Sequence, residues 1–144
     1  MTWENLKTQI VDLGFEEDEI MDEEEYYRIM VNSTNRALDV IRYKVFPQIE
    51  DYYRINEEWG ERDETTGKWV FPAHEHVTTA TEDSYEIVLP DNLTALVPLL
   101  ASHYVWLDDD ITKATLYFNE YDMFKDQILM VCKTPKKAVI EGGW

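Results

Sequence analysis

The 144-residue chain has few of the residues and motifs that indicate a disulfide framework, a phosphate-binding loop or a membrane segment. Its single cysteine, Cys132, excludes an intrachain disulfide framework. It has only 5 glycines and no Gly-x-x-x-x-Gly-Lys-Ser/Thr loop, which disfavours a phosphate-binding cradle. No apolar run approaches the ~20 residues that span a bilayer, and residues 2–15 lack the basic start of a secretory signal. These absences predict one domain without disulfides, leader or membrane segment.

Basic side chains are also scarce. There are 13 Lys and Arg against 30 Asp and Glu, so the formal net charge is -17. Such a surface repels nucleic-acid phosphates and disfavours free DNA or RNA as a ligand. The acidic excess has two interpretations: it keeps the protein soluble, or it forms a wall along which DNA slides without sticking. Apolar residues make up 44%, including 9 Tyr, 5 Phe and 5 Trp, which is enough for a core.

Helical periodicity dominates the first third of the chain. Trp3, Leu6 and Ile10 fall on one face of a helix that Thr2 can cap. After an acidic run, apolar residues at three- and four-residue steps predict a second helix from about residue 22 to 46. Pro47 should end or kink that helix near Phe46, with helical spacing resuming to about residue 58.

The middle of the chain changes character. Thr65-Thr66-Gly67 is a turn signal, and residues 68–71, 75–81 and 85–89 are rich in β-branched and aromatic side chains. This pattern predicts two or three short antiparallel strands, with Glu82-Asp83-Ser84 as a turn.

Two further helices close the predicted domain. One begins near Pro90, with Pro98 tolerated only in a first turn. Asp108-Asp109-Asp110 can cap a last helix of about 22 residues. Its core stripe is predicted to hold Ala114, Tyr117, Tyr121, Phe124, Ile128 and Val131. The predicted fold is mainly α: a four-helix bundle-like domain over residues 1–132, a β-hairpin insertion at about 65–89, and an extended C-terminal tail over 133–144.

No catalytic, cofactor-binding or metal-binding residues are predicted. The serines lie in no Gly-x-Ser-x-Gly elbow, and paired carboxylates carry no information in so acidic a chain. His74-Glu75-His76 could place two imidazoles on one face of a strand, but no further Cys or His lies nearby in the sequence, so a surface strand is favoured. His103 lies on an apolar stripe and is predicted to be a hydrogen-bonded core histidine.

The C-terminal tail is predicted to bind another protein. Alternating apolar residues can add as a strand to a partner's sheet edge, and tryptophan is a common interface anchor. The alternative is an unstructured chain end. The predicted interaction residues are Lys133, Lys136, Lys137, Val139, Ile140 and Trp144.

The order of these segments resembles the head–tail adaptor, or connector, proteins of tailed bacteriophages. Two stretches of the sequence carry the resemblance. The first consists of residues 5–14, an acidic run, and the helix that has Ala37 and Ile41 at its centre. The other runs from Leu89-Pro90-Asp91-Asn92-Leu93, through the helix with Pro98 and Tyr104 and the Asp-rich turn, to a last helix with Tyr117, Asn119-Glu120-Tyr121 and Phe124. Pro47 inside the second helix and the heavy acidic run depart from the family pattern.

The resemblance implies a structural, non-enzymatic protein of the virion neck, assembled in the host cytoplasm. Such proteins form a ring, usually twelve-fold, beneath the portal, bridge it to the tail or to a head-closure (stopper) protein, and line the channel through which DNA passes. In the family the C-terminal tail engages the portal, and by position residues 133–144 would do so here. Candidate channel-lining acids are Glu16, Glu17, Asp18 and Glu19.

Two other functions fit parts of the sequence. An acidic protein-binding or DNA-mimicking regulator would array its carboxylates on one continuous face at phosphate-like spacing. A small metal-dependent hydrolase would need a carboxylate metal site.

Overall fold

The computed structural model describes residues 1–14 and 24–133. This part of the chain is mainly α-helical, with one two-stranded antiparallel sheet. The helices are α1 (Trp3–Gly14), α2 (Glu24–Val40), α3 (Glu50–Asn56), the single turn α4 (Asp91–Thr94), α5 (Val97–Trp106) and α6 (Ile111–Cys132). The strands are β1 (Glu61–Arg62) and β2 (Trp69–Val70). The mainly α prediction with a small antiparallel hairpin is therefore confirmed.

Local capping chemistry sets two of the helix starts as predicted. The Thr2 hydroxyl accepts a hydrogen bond from the Asn5 backbone N–H at 3.2 Å and caps α1. The Asp110 carboxylate accepts from the Lys113 N–H at 3.1 Å and caps α6. Each side chain satisfies a backbone donor that the first turn of a helix leaves without a partner.

Pro47 interrupts the second helix, as predicted. After α2 the backbone widens into a π-helical stretch at Ile41–Val45 and then tightens into a 3₁₀ turn at Phe46–Gln48 before α3 begins. Proline has no N–H, so the ordinary helical ladder cannot pass through it. The Gln48 side chain donates to the Lys44 carbonyl at 2.8 Å and satisfies one of the acceptors near the break.

The sheet begins earlier in the chain than the predicted interval of 65–89, because β1 precedes that interval, whereas β2 confirms the strand predicted at 68–71. β1 pairs with β2 with Glu61 opposite Val70 and Arg62 opposite Trp69. The predicted turn at 65–67 closes this hairpin, and the Asp63 carboxylate accepts from the Thr65 N–H at 2.8 Å. The first strand was missed because Glu61 and Arg62 have no β-propensity signal and both are exposed.

The strands predicted at 75–81 and 85–89 are wrong. Residues 71–90 form an irregular segment, whose one bridge within the described residues joins Glu86 to Thr2. Val77, Ile87 and Leu89 are nevertheless buried. Their β-branched and apolar character reflects packing against the helices rather than pairing in a ladder. The predicted turn is present, since the Tyr85 N–H donates to the Glu82 carbonyl at 3.0 Å.

Pro98 divides what the sequence predicted as one helix. The single turn α4 ends at Thr94, and α5 starts at Val97 with the proline in its first turn. α5 contacts α1, α2 and α6, and almost its whole circumference is buried. A helix surrounded by others is apolar on all sides rather than along one stripe. α5 is therefore the centre around which α1, α2 and α6 pack.

Candidate interaction surfaces

Among the described residues, several large apolar side chains are exposed on the outer side of α6. Leu116, Met123 and Met130 are spaced by seven residues and form one row, while Phe124 and Val131 form the row beside it. Their exposed fractions run from 48% for Phe124 to 79% for Met130. Together they expose on the order of 500 Å² of apolar surface, near the upper end for patches on monomeric proteins. We call these five residues the outer face of α6.

The length of α6 explains part of this exposure. Its 22 residues extend about 33 Å, whereas the 10 residues of α5, against which it packs, extend about 15 Å. Ala114, Tyr117 and Tyr121 are buried as predicted. The prediction that Phe124 and Val131 belong to the core stripe is wrong, because they lie at the edge of that stripe, rotated towards the outer side of the helix.

A second apolar surface is a groove of about 460 Å³ between α3, the 3₁₀ turn and the hairpin. Its floor is an aromatic cluster in which the Phe46 ring centroid lies 5.3 Å from Trp59 and 5.1 Å from Phe71. Its rim carries large side chains that are exposed: Tyr43, Trp69 and Val70. We call this surface the aromatic groove.

Positive charge accompanies the aromatic groove in an otherwise acidic chain. Arg42, Arg54 and Lys68 line it together with Glu50 and Asp51. Arg54 forms an ion pair with Asp51 at 3.1 Å. The Lys68 ammonium has no ion-pair partner among the described residues. The groove therefore offers an ammonium group without an ion-pair partner beside aromatic walls, and the carboxylate of Glu50 on its lining has no ion-pair partner among the described residues either.

Gly60 allows β2, which forms one wall of the groove, to lie close to the backbone just before β1. Its φ is +117°, a conformation that side chains with a Cβ rarely adopt. A Cβ at this position would lie 3.3 Å from the Val70 carbonyl oxygen. Glycine is required here both by the backbone conformation and by the close approach of β2.

Side chains of α2 and its π-helical extension hold the irregular segment in place. The Asn35 amide donates to the Val77 carbonyl at 2.8 Å and accepts from the Val77 N–H at 2.9 Å. The buried Arg42 guanidinium donates twice to the Val88 carbonyl, at 3.1 and 3.2 Å. Burial lowers the pKa of Arg42. Neither residue was predicted from the sequence, because their partners are more than 40 positions away in the chain.

The two histidines of His74-Glu75-His76 do not converge. His74 lies 3.3 Å from the Tyr43 hydroxyl, and His76 lies 2.9 Å from an Asp39 carboxylate oxygen. Each imidazole thus contacts a different position of the helix beside it. Across residues 1–14 and 24–133, no three His, Cys, Asp or Glu side chains form a group suited to holding a metal ion.

His103 is hydrogen bonded and half-buried. Its Nδ1 lies 2.8 Å from the Ala114 carbonyl oxygen, so the imidazole joins α5 to α6. The predicted hydrogen bonding of His103 is confirmed, but the prediction that it is a core residue is wrong, since the side chain is only half-buried at the α5–α6 contact.

A partly buried chain of polar contacts holds the C-terminal end of α6. The Tyr53 hydroxyl donates to the Asn92 side-chain oxygen at 2.5 Å, and the Asn92 amide donates to the Cys132 sulfur at 3.8 Å. Desolvation raises the pKa of both Tyr53 and Cys132. It raises the pKa of Tyr117 and Tyr121 in the same way. A thiol held protonated is a poor nucleophile, so Cys132 acts as a packing residue here.

Most of the predicted site residues lie outside the described residues. Lys133 is exposed directly after α6. The other predicted tail residues, Lys136, Lys137, Val139, Ile140 and Trp144, and the predicted channel acids Glu16, Glu17, Asp18 and Glu19 fall in the undescribed ranges. The outer face of α6 and the aromatic groove were not predicted as surfaces.

No family model, curated protein or solved structure matches the chain significantly. None of the helices in the described ranges combines the length and apolar character needed to cross a membrane.

Proposed function

We propose that this protein is a structural head–tail connector of a tailed-bacteriophage virion. It would form a ring under the portal, bridge the portal to the tail or to a head-closure protein, and line the DNA channel. The observation that supports a role in assembly is the outer face of α6. An apolar patch near the upper end of the range found on monomeric proteins is often a functional contact surface, and this supports a contact with another protein. The family assignment itself rests on the order of elements in the sequence.

The arrangement of the described helices fits a connector subunit. We interpret α1, α2 and α6 around the central α5 as a bundle-like core, with the hairpin as an appendage on one side. In this proposal residues 133–144 extend from the bundle to the portal, with Lys133 at their base. Anchoring of α6 through Asn92 and Cys132 would fix the direction in which that segment leaves the domain.

In a ring, the net charge of -17 would have a function in DNA passage. Identical subunits repeat one charge pattern around the lumen, and a negative lumen repels DNA phosphates so that the genome passes without being held. Glu16, Glu17, Asp18 and Glu19 are the acids that we propose to line it. No enzymatic step is part of the proposal.

The proposal is tested on virions. The protein should be present in purified particles and label the neck in immunogold electron microscopy. A phage lacking the gene should make filled heads and free tails that do not join. Absence of the protein from purified virions, or infectious particles without it, would refute the proposal. Capture of a basic regulatory protein in place of virion assembly would support the acidic-regulator function instead.

A further inference from the structure

The exposed apolar side chains sort into two places. Within the described residues, every large hydrophobic side chain that is exposed lies either on α6 or at the rim of the aromatic groove. One surface is a convex helix ridge, and the other is concave. No helix or strand of the described residues packs over either of them, although the Arg62 guanidinium lies 5.7 Å from the centre of the Trp69 ring.

Two complementary but different surfaces are what a closed ring requires. A ring grows through heterologous contacts, in which one patch of a subunit binds a different patch of the next. A pairing of two α6 ridges would be isologous, would stop at two copies, and would leave the groove empty. The shapes of the two surfaces therefore favour a ridge-in-groove contact between neighbouring copies.

Charge also favours this pairing. Helical geometry places one ionisable side chain, Glu120, on the outer face between Leu116 and Val131. Glu120 has no ion-pair partner among the described residues, and neither has Lys68 at the groove. Copies with a net charge of -17 repel one another overall, so a contact has to bring together low charge or opposite charge.

We infer that the outer face of α6 of one copy binds in the aromatic groove of the next copy, with Glu120 facing Lys68. The inference rests on the proposed ring, because it names the two surfaces through which the ring is built. Met123 and Phe124, at the middle of the ridge, would meet the Trp69 and Val70 side of the groove.

Mixing two variants tests the direction of the contact. Met123→Asp disables the ridge, and Val70→Asp disables the groove; both positions are exposed, so both variants should fold. Met123→Asp should keep the wild-type melting temperature, whereas Val70→Asp should lower it slightly because it places a second carboxylate opposite Glu61, and circular dichroism checks that each variant is folded. In sedimentation velocity at increasing concentration, wild type should form higher oligomers and each variant alone should stay monomeric. Their equimolar mixture should form a heterodimer and grow no further, because it contains a single intact pair of surfaces.

Three results would overturn the inference. Val70→Asp could dimerise by itself, which indicates ridge-to-ridge pairing. The variants could associate like wild type, which places the contact elsewhere. Wild type could remain monomeric up to about millimolar concentration, which excludes a contact formed by this chain alone. Each of these results leaves the neck function open, since the virion experiment tests it separately.

A charge exchange tests the proposed ion pair. Glu120→Lys and Lys68→Glu should each weaken self-association about 3- to 10-fold, and the double variant should recover most of the loss. Glu82→Lys makes the same charge change as Glu120→Lys at an exposed position outside both surfaces, and it should not weaken association. A loss in the double variant equal to the sum of the two single-variant losses would show that these two side chains do not meet.

Discussion

Asn35 offers the sharpest test of how the irregular segment is held. Its side-chain amide makes the two hydrogen bonds with Val77 that a neighbouring strand would otherwise supply, at 2.8 and 2.9 Å. Val77 itself is only 2% exposed, so its backbone groups have little access to water. Asn35→Ala removes both partners at once and leaves a donor and an acceptor unsatisfied.

The expected loss follows from these contacts. Two hydrogen bonds contribute about 1 kcal/mol each, and leaving buried groups unpaired adds a further penalty. Better helix propensity of alanine returns roughly 0.5 kcal/mol. We expect the free energy of unfolding to fall by about 2–4 kcal/mol, which for a domain of this size lowers the melting temperature by roughly 6–12 °C.

The assay is urea unfolding followed by circular dichroism, with Asn32→Ala as the matched control. Asn32 lies on the same helix and is exposed, so its replacement should be neutral or slightly stabilising. If Asn35→Ala unfolds within about 0.5 kcal/mol of Asn32→Ala, the clamp contributes little and our account of the irregular segment is wrong.

Three further predictions concern the hairpin, the buried titratable groups and the tail. Gly60→Ala should destabilise the protein by about 1–3 kcal/mol in urea unfolding. Gly67 also has a positive φ, of +71°, but there is open space around it, so Gly67→Ala should cost only about 1 kcal/mol. Equal costs of the two substitutions would contradict the close approach of β2. Burial raises the pKa of Cys132 and of the tyrosines described above. The unfolded chain therefore loses these protons first as pH rises, and the urea midpoint should fall from about pH 9 upward; a midpoint constant to pH 11 would contradict this. Deleting residues 135–144 should leave the melting temperature unchanged and abolish binding to purified portal; retained binding would show that another surface engages the portal.

The contact surfaces could not have been found from periodicity. The apolar residues of α6 recur at helical spacing on two sides of the helix, and spacing alone does not say which side a neighbour covers. Tyr117 and Phe124 both fit the predicted core stripe, yet Tyr117 is buried with its hydroxyl bonded to the Leu13 carbonyl, while Phe124 is half exposed. The short length of α5 contributes to this difference in exposure. That length depends in part on Pro98, which lies in the first turn of α5 and so fixes where the helix begins.

The aromatic groove could not have been predicted from local sequence either. Phe46, Trp59 and Phe71 come from three separate segments, and no local signal joins them. Lys68 and Arg54 are unremarkable as isolated charges and become part of a site only when the hairpin folds against α3.

The helix starts at Thr2 and Asp110, the interruption at Pro47 and the turn before Gly67 could all be predicted from local sequence. Each of these depends on covalent geometry or on hydrogen bonds within a few residues, so the neighbouring residues contain the whole cause. In contrast, it is tertiary packing that makes side chains of α2, rather than a sheet, hold residues 71–90, and that leaves one face of α6 uncovered. Those outcomes depend on which distant segments meet, and the free energy that selects them comes from burial and pairing across the whole domain.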